Sequence, residues 1–433
     1  MLMFIILFLL LGVVNIIILL KELRKRGWSL FTYSLIYLIV FFNILPVFSF
    51  LFINDSDKFP YIIPNFYQNL EIVFLLLTCI ILGFLAFYCG YYYTKEKCLQ
   101  KESILILKKT GGIYRKDLLI FLISVFSTFG LIMYVKGFGS LDNAIANANF
   151  VRSGYYKTSD EFDDTSHTFF FRFIFISLIP LLYFYTLKHK TYFHKIIFAL
   201  SVVNLVILYF FLSASRQSIV DIFLIFILSS LVSNKKIINW QLVFIGISAL
   251  ILLPFLEVFL NTNQLNFTQV NSDLKKTIVV EFGFPFYSLY YSIVNHYDYF
   301  YFSDFISGIF GKILPTSLSP GIQKTNYLNT FLMTNDLGRG YVPPGLFAQG
   351  YYSLGIIGVI LISGFTGWFF KKIDLYFRKL LQIEPKYTIF YTYFIVNSMV
   401  WMRTGLPENY FYGFTFILFW IFLFLSFKIQ KKL

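Results

Sequence analysis

Residues 1–27 read MLMFIILFLLLGVVNIIILLKELRKRG: twenty residues whose one polar side chain is Asn15, followed at once by Lys21, Arg24, Lys25 and Arg26. A bilayer core of ~30 Å takes about 20 apolar residues in helical form. The stretch is therefore long enough to span, and the basic cluster marks the side on which it ends. No basic residue precedes the apolar run and no small-residue cleavage site follows it, so it reads as a retained anchor rather than a cleaved signal peptide.

The same alternation of apolar run and short polar loop recurs along the chain. It predicts eleven spans, at 1–20, 30–53, 70–94, 117–135, 168–187, 196–213, 217–233, 240–260, 350–370, 387–402 and 411–427. The loops 21–29, 95–116, 188–195, 234–239 and 371–386 and the tail from Lys428 then share one side. That side holds 24 Lys and Arg against 6 Asp and Glu; the other, with the intramembrane charges nearer to it, holds 12 against 16. Short cytoplasmic loops are enriched in Lys and Arg, so the first side is assigned to the cytoplasm. The N-terminus is then expected outside and the C-terminus inside. Composition agrees: 58% of residues are hydrophobic, only 13% are charged and mean hydropathy is +0.71, where a soluble domain is about a quarter charged. The net charge of +14 is thus a topology signal and not a nucleic-acid one. The expected architecture is an all-α polytopic membrane protein, a single transmembrane domain over 1–433. One long outer loop, 261–349, folds over an outer-face cavity, since structureless connections beyond about 12–15 residues are uncommon. Its aromatic stretch 284–302 is expected to lie along the outer interface. Neither a GxGxxG fingerprint nor a Walker motif is present, which argues against nucleotide hydrolysis. Cys79, Cys89 and Cys98 match no metal spacing and no disulfide pattern, and read as packing residues.

The outer side carries few basic residues, and four arginines stand out among them: Arg152, Arg216, Arg339 and Arg403. The positive-inside bias does not explain them, whereas an anionic ligand does, because the guanidinium fork matches phosphate oxygens. Arg216 lies in the tight turn Ser213-Ala214-Ser215-Arg216-Gln217, with Asp221 following inside the next span. The two either pair with each other or serve a ligand. Arg152 follows Gly137-Phe138-Gly139-Ser140 and a small-residue helix. Arg339 sits between two glycines in Gly338-Arg339-Gly340-Tyr341-Val342-Pro343-Pro344-Gly345, with Gln349 and Tyr352 opening the helix beyond. Arg403 and Glu408 flank Thr404-Gly405-Leu406-Pro407 and either pair or act separately. Glu281 and His296 are the two candidate proton acceptors, since both types serve as bases when their surroundings tune them. The acidic run Asp160, Glu161, Asp163 and Asp164 reads as a solvated charge run and not as a metal site. The tyrosines of 287–301 suit either sugar stacking or the aromatic belt of a membrane interface, the belt being the default.

In order and content these pieces resemble the Wzy-type oligosaccharide repeat-unit polymerases of O-antigen and capsule assembly. The matching segments are Gly137 to Leu141 followed by Arg152, the Ser215-Arg216 turn, and Glu281-Phe282-Gly283. Leu314-Pro315-Thr316-Ser317-Leu318 and the block from Gly338 through Tyr351-Tyr352-Ser353-Leu354-Gly355-Ile356-Ile357-Gly358 complete them. The resemblance covers about residues 130–370. One departure is Gln349, where an acidic residue is expected before the aromatic pair. The resemblance implies a GT-C type B-like fold in the bacterial plasma membrane. It also implies an enzyme that joins undecaprenyl-diphosphate-linked oligosaccharides into O-antigen, capsular or exopolysaccharide at the outer face, without metal or cofactor. Arg216 and Arg339, with Arg152, Arg403, Tyr341 and Gln349 in support, would bind the substrate, and Glu281 or His296 would be catalytic. The implied partners are membrane lipids, a Wzx-type flippase and a Wzz-type chain-length regulator, with no nucleic acid. An O-antigen ligase and a lipid-linked oligosaccharide flippase are the alternatives.

Overall fold

The computed structural model describes residues 2–47, 69–93, 106–109, 113–148, 170–187, 190–212, 216–233, 283–295, 298–305, 324–335, 342–405, 418, 420–422 and 427–430. They form a multi-pass bundle of α-helices: α1 (Leu2–Arg26), α2 (Leu30–Ile39, continued by a π-turn at Val40–Ile44), α3 (Leu70–Tyr93), α4 (Ile113–Gly137), α5 (Leu141–Ala146) and α6 (Phe171–Thr186). There follow α7 (Tyr192–Val206, continued by a π-turn at Ile207–Leu212), α8 (Arg216–Ser233), α9 (283–294), α10 (Lys324–Thr334), α11 (Leu346–Ile383) and α12 (Thr388–Thr404). Among the described residues six helical stretches are long and apolar enough to cross a membrane, and Phe171–Thr186 and Asp221–Ser233 are shorter apolar helices. The outward face of α1 shows why the bundle needs lipid. Leu10, Val13 and Ile17 are each more than half exposed, while Phe4 and Phe8 pack inward. A contiguous apolar stripe of this kind is not left facing water.

Local chemistry sets the first hairpin. Arg24, Lys25 and Arg26 close α1, where positive charge complements the helix dipole. Gly27 then takes φ +70° and its N–H returns to Leu23 O at 2.9 Å, a left-handed stop that glycine adopts without strain. Ser29 caps α2 in a reciprocal box with Thr32. Only Trp28 separates the helix stop from this cap, so α1 and α2 must run antiparallel.

Small residues hold the centre together. α3 and α11 run side by side, and a Cβ built on Gly90 would meet the carbonyl of Gly364, while one on Gly367 would meet that of Phe87. Apolar helices gain little by hiding from apolar lipid. Close backbone approach at Gly and Ala is what makes them associate. At one end of this pair Asp374 is fully buried. It accepts hydrogen bonds from Leu30 N at 3.0 Å, Tyr91 Oη at 2.9 Å and Tyr391 Oη at 2.7 Å. A single carboxylate thus ties α2, α3, α11 and α12. Asp374→Ala orphans three donors at about 1–3 kcal/mol each. Its melting temperature in detergent should fall well below wild type, with Asp374→Asn between the two; an unchanged Ala variant would refute the role.

The ends of the helices agree with the alternation read from the sequence. Leu30, Tyr91, Asp374 and Tyr391 meet at one end. Asp117, which accepts from Tyr183 Oη at 2.9 Å and lies 3.1 Å from His194 Nε2, joins the start of α4, the end of α6 and the start of α7. Ile106–Lys109 (β1) pairs antiparallel with Phe427–Gln430 (β2), so the 95–116 loop and the C-terminal tail share a side. This ladder is the one strand pairing among the described residues.

Nine of the eleven expected spans coincide with helices. Span 240–260 lies outside the described residues, and 411–427 is described only at 418, 420–422 and 427. Two expectations are corrected. The segment 371–386 is not a loop: α11 runs on to Ile383, because Tyr376, Phe377 and Leu380 extend its packing face past the basic pair, and Lys371 is itself buried. Nor does α9 lie along the interface. Phe286, Tyr287, Leu289 and Ile293 are buried, with Phe286 edge-on to Phe8 at 5.8 Å. Aromatic density here marks core. Of the cysteines, Cys79 is buried but Cys89 is exposed, so only the first packs as expected; Cys98 lies outside the described residues.

Candidate functional site

The segment Gly345 to Gly358 does not form one straight helix. Gly345 (φ +79°) starts it without a side-chain cap, and Leu354 (φ −154°, ψ 31°) and Gly355 (φ +60°, ψ −143°) break it. Beyond the break the chain folds back, so that Gly350 and Gly358 touch backbone to backbone. A side chain at either would force them apart. The break leaves the carbonyls of Tyr352 and Ser353 without helical partners, and buried carbonyls must be paired. They accept from Phe300 N at 2.9 Å and Tyr301 N at 3.0 Å. The segment 298–305 is thereby stitched to the break.

Beside it lies a buried polar cluster. Asn329 of α10 donates from Nδ2 to Ser288 Oγ at 3.0 Å and to Val342 O at 2.8 Å, and accepts at Oδ1 from Tyr352 Oη at 3.2 Å. Thr330 Oγ1 accepts from Val342 N at 2.8 Å, and Asp304 Oδ2 accepts from Thr325 N at 2.8 Å. Gln349 Nε2 approaches Thr325 Oγ1 at 3.4 Å. Gln349 is fully buried and its Oε1 has no hydrogen-bond partner among the described residues. Its side chain abuts Gly405, which ends α12 at φ +72°. No residue with a Cβ fits there.

Two residues before that glycine stands Arg403. Its guanidinium lies 5.1 Å from the centroid of Phe284, a cation–π contact that orients the fork. Asp221 is within electrostatic reach of Arg403, since α8 packs along α12. Arg403 is thus the charged neighbour of Asp221 from another helix, and the sequence pairing of Asp221 with Arg216 is not the only one open to it. Phe284 and Ser288 lie one turn apart on α9, so one helix carries both the ring under the Arg403 cation and a hydroxyl of the polar cluster, chemistry suited to binding an oxyanion and hydroxyl groups.

Of the residues singled out by sequence, Gln349 packs on Gly405, two residues after Arg403, and Arg403 lies on Phe284. Arg216 opens α8, and its side chain lies outside the described residues. Arg152, Glu281, His296, Arg339 and Tyr341 lie outside them as well, as does Glu408. Sequence reading missed Asn329, Thr325 and Ser288. Thr325, Asn329 and Met333 recur every fourth residue in Lys324–Thr334, one helical face. The polar pair Thr325 and Asn329 on that face was the available signal. No family profile, curated protein or solved structure matches this chain.

Proposed function

We propose that the protein is a membrane glycosyltransferase that polymerises undecaprenyl-diphosphate-linked oligosaccharide repeat units at the outer face of the plasma membrane. The observation that carries the reading is Arg403, held against Phe284 and beside the Gln349 helix. It stands at the helix ends opposite the Asp374 and Asp117 clusters. Charge asymmetry assigns those helix ends to the outer leaflet. A preplaced guanidinium suits a diphosphate leaving group, whose charge grows as the glycosyl bond breaks. In the reaction the acceptor hydroxyl oxygen bonds to the anomeric carbon, the anomeric carbon–phosphate oxygen bond breaks, and the carrier diphosphate departs with the electron pair. The hydroxyl proton passes to a base, for which Glu281 and His296 are the candidates. Arg152, Arg216 and Arg339, with Tyr341, would share the anionic substrate with Arg403.

Lipid-linked intermediates from a deletion strain test this reading. A polymerase deletion should leave single repeat units on the carrier at the outer face. Full-length polymer on the carrier would point instead to a ligase, and single units held at the inner face to a flippase. Complementation with Glu281→Gln should also leave single units, while His296→Gln retains polymer; the reverse pattern would assign the base to His296.

A further inference from the structure

We infer that Asp298, Tyr299 and Tyr301 form a docking platform for a sugar ring of the glycan substrate, an inference that rests on the proposed function. Phe300 turns inward and stacks on Tyr352, ring centroids 6.4 Å apart. Its neighbours in the chain stay open: Tyr299, whose hydroxyl end rests on Gly355, is 44% and Tyr301 71% exposed, and Asp298 is exposed as well. Large aromatic rings left this open at the rim of a polar cluster need an explanation.

The backbone beneath them is locked. Phe300 N and Tyr301 N are bonded into the break of α11, Ser303 N returns to Phe300 O at 2.9 Å, and Phe305 N returns to Phe302 O at 3.0 Å. Tyr301 and Phe302 take φ +45° and +59° in succession, a conformation unfavourable for bulky side chains. Such strain persists where the surroundings over-determine it, and it clusters at ligand sites. The Tyr299 hydroxyl lies over Gly355, where a Cβ would come within 2.6 Å of it. A membrane belt requires none of this, because lipid is fluid and accepts tyrosine in any orientation. Asp298 adds an exposed carboxylate one residue before Tyr299. A sugar ring uses both features: its C–H face stacks on an aromatic ring, and its hydroxyls donate to a carboxylate.

The test uses full-length protein in nanodiscs with Tyr301→Trp as reporter. The probe is the host's own surface polysaccharide, cut by mild acid to fragments of one to three repeat units. The fragments should shift the tryptophan emission saturably, and brominated phospholipid should leave it unquenched. In calorimetry with the same fragments, Tyr301→Gly should bind about tenfold more weakly, equivalent to ~1.4 kcal/mol. Glycine is at ease at φ +45°, so that loss would not reflect misfolding, and Tyr301→Phe should bind like wild type. Quenching by brominated lipid, or an unshifted spectrum with wild-type affinity in Tyr301→Gly, would overturn the platform. Binding is read without catalysis. Fragment binding in a protein whose deletion leaves no single repeat units would keep the platform and reject the polymerase. Loss of polymer in the arginine variants alongside unchanged affinity in Tyr301→Gly would do the opposite.

Discussion

Arg403→Ala is expected to abolish long-chain polysaccharide while single lipid-linked repeat units accumulate. Removing one preorganised contact to a developing charge lowers turnover by about 10²–10³-fold, enough to erase polymer from a gel. Arg216→Ala and Arg339→Ala should behave alike. Arg403→Lys should rescue poorly, because an ammonium lacks the bidentate fork and stacks less well on Phe284. A structural loss is separable. Arg403→Ala also takes away the cation that acts across the helices on the half-buried Asp221 carboxylate. The double variant Arg403→Ala/Asp221→Asn removes that carboxylate too. It should recover protein level on immunoblots and still make no polymer. Normal polymer from either variant would remove Arg403 from the site.

Gly90→Leu should yield no monodisperse protein in detergent. Its side chain would be driven into the Gly364 carbonyl and the Trp368 amide. Backbone cannot be turned aside as a flexible side chain can. Overpacking ordinarily costs about 1–3 kcal/mol; separating α3 from α11 also strips their shared contacts and strains the Asp374 knot. Leu85→Ala, on the lipid side of the same helix, is the control and should elute like wild type. A monodisperse Gly90→Leu protein with unchanged melting temperature would show that the two helices do not depend on this approach.

Much of this fold was legible because lipid imposes a simple rule. A run such as 70–93 must be helical to satisfy its own backbone, and its flanking Lys and Arg follow the membrane side. Legibility ended where burial was within protein. The aromatic stretch around Tyr287 reads alike as belt or core, because composition does not say which surface faces a ring. Residues 371–383 carry Lys371, Lys372, Asp374, Arg378 and Lys379 and so read as loop. Yet Lys371 lies over the Tyr91 ring at 5.0 Å and Asp374 is saturated with donors. The site was legible in parts. Arg403 stood out by charge and Gln349 by its place in a block of glycines. The packing of Gln349 on Gly405 and the stitching of 298–305 to the break at Leu354–Gly355 are announced by no periodicity. Asn329 went unseen because Thr325, Asn326, Thr330 and Thr334 spread polar residues around the same short helix, so the face it shares with Thr325 does not stand out.

The pairing of β1 with β2 bears on how the molecule is made. Ile106–Lys109 emerges early in translation, and its partner Phe427–Gln430 lies among the last residues of the chain. At about 5–20 residues per second, the first strand waits roughly a quarter of a minute to a minute for the second. Until then its edge is open to other strands. Synthesis of Phe427–Gln430 is therefore also the event that closes this edge. A substitution that disrupts Phe427–Gln430 would be felt three hundred residues upstream, in a loop synthesised before most of the bundle existed.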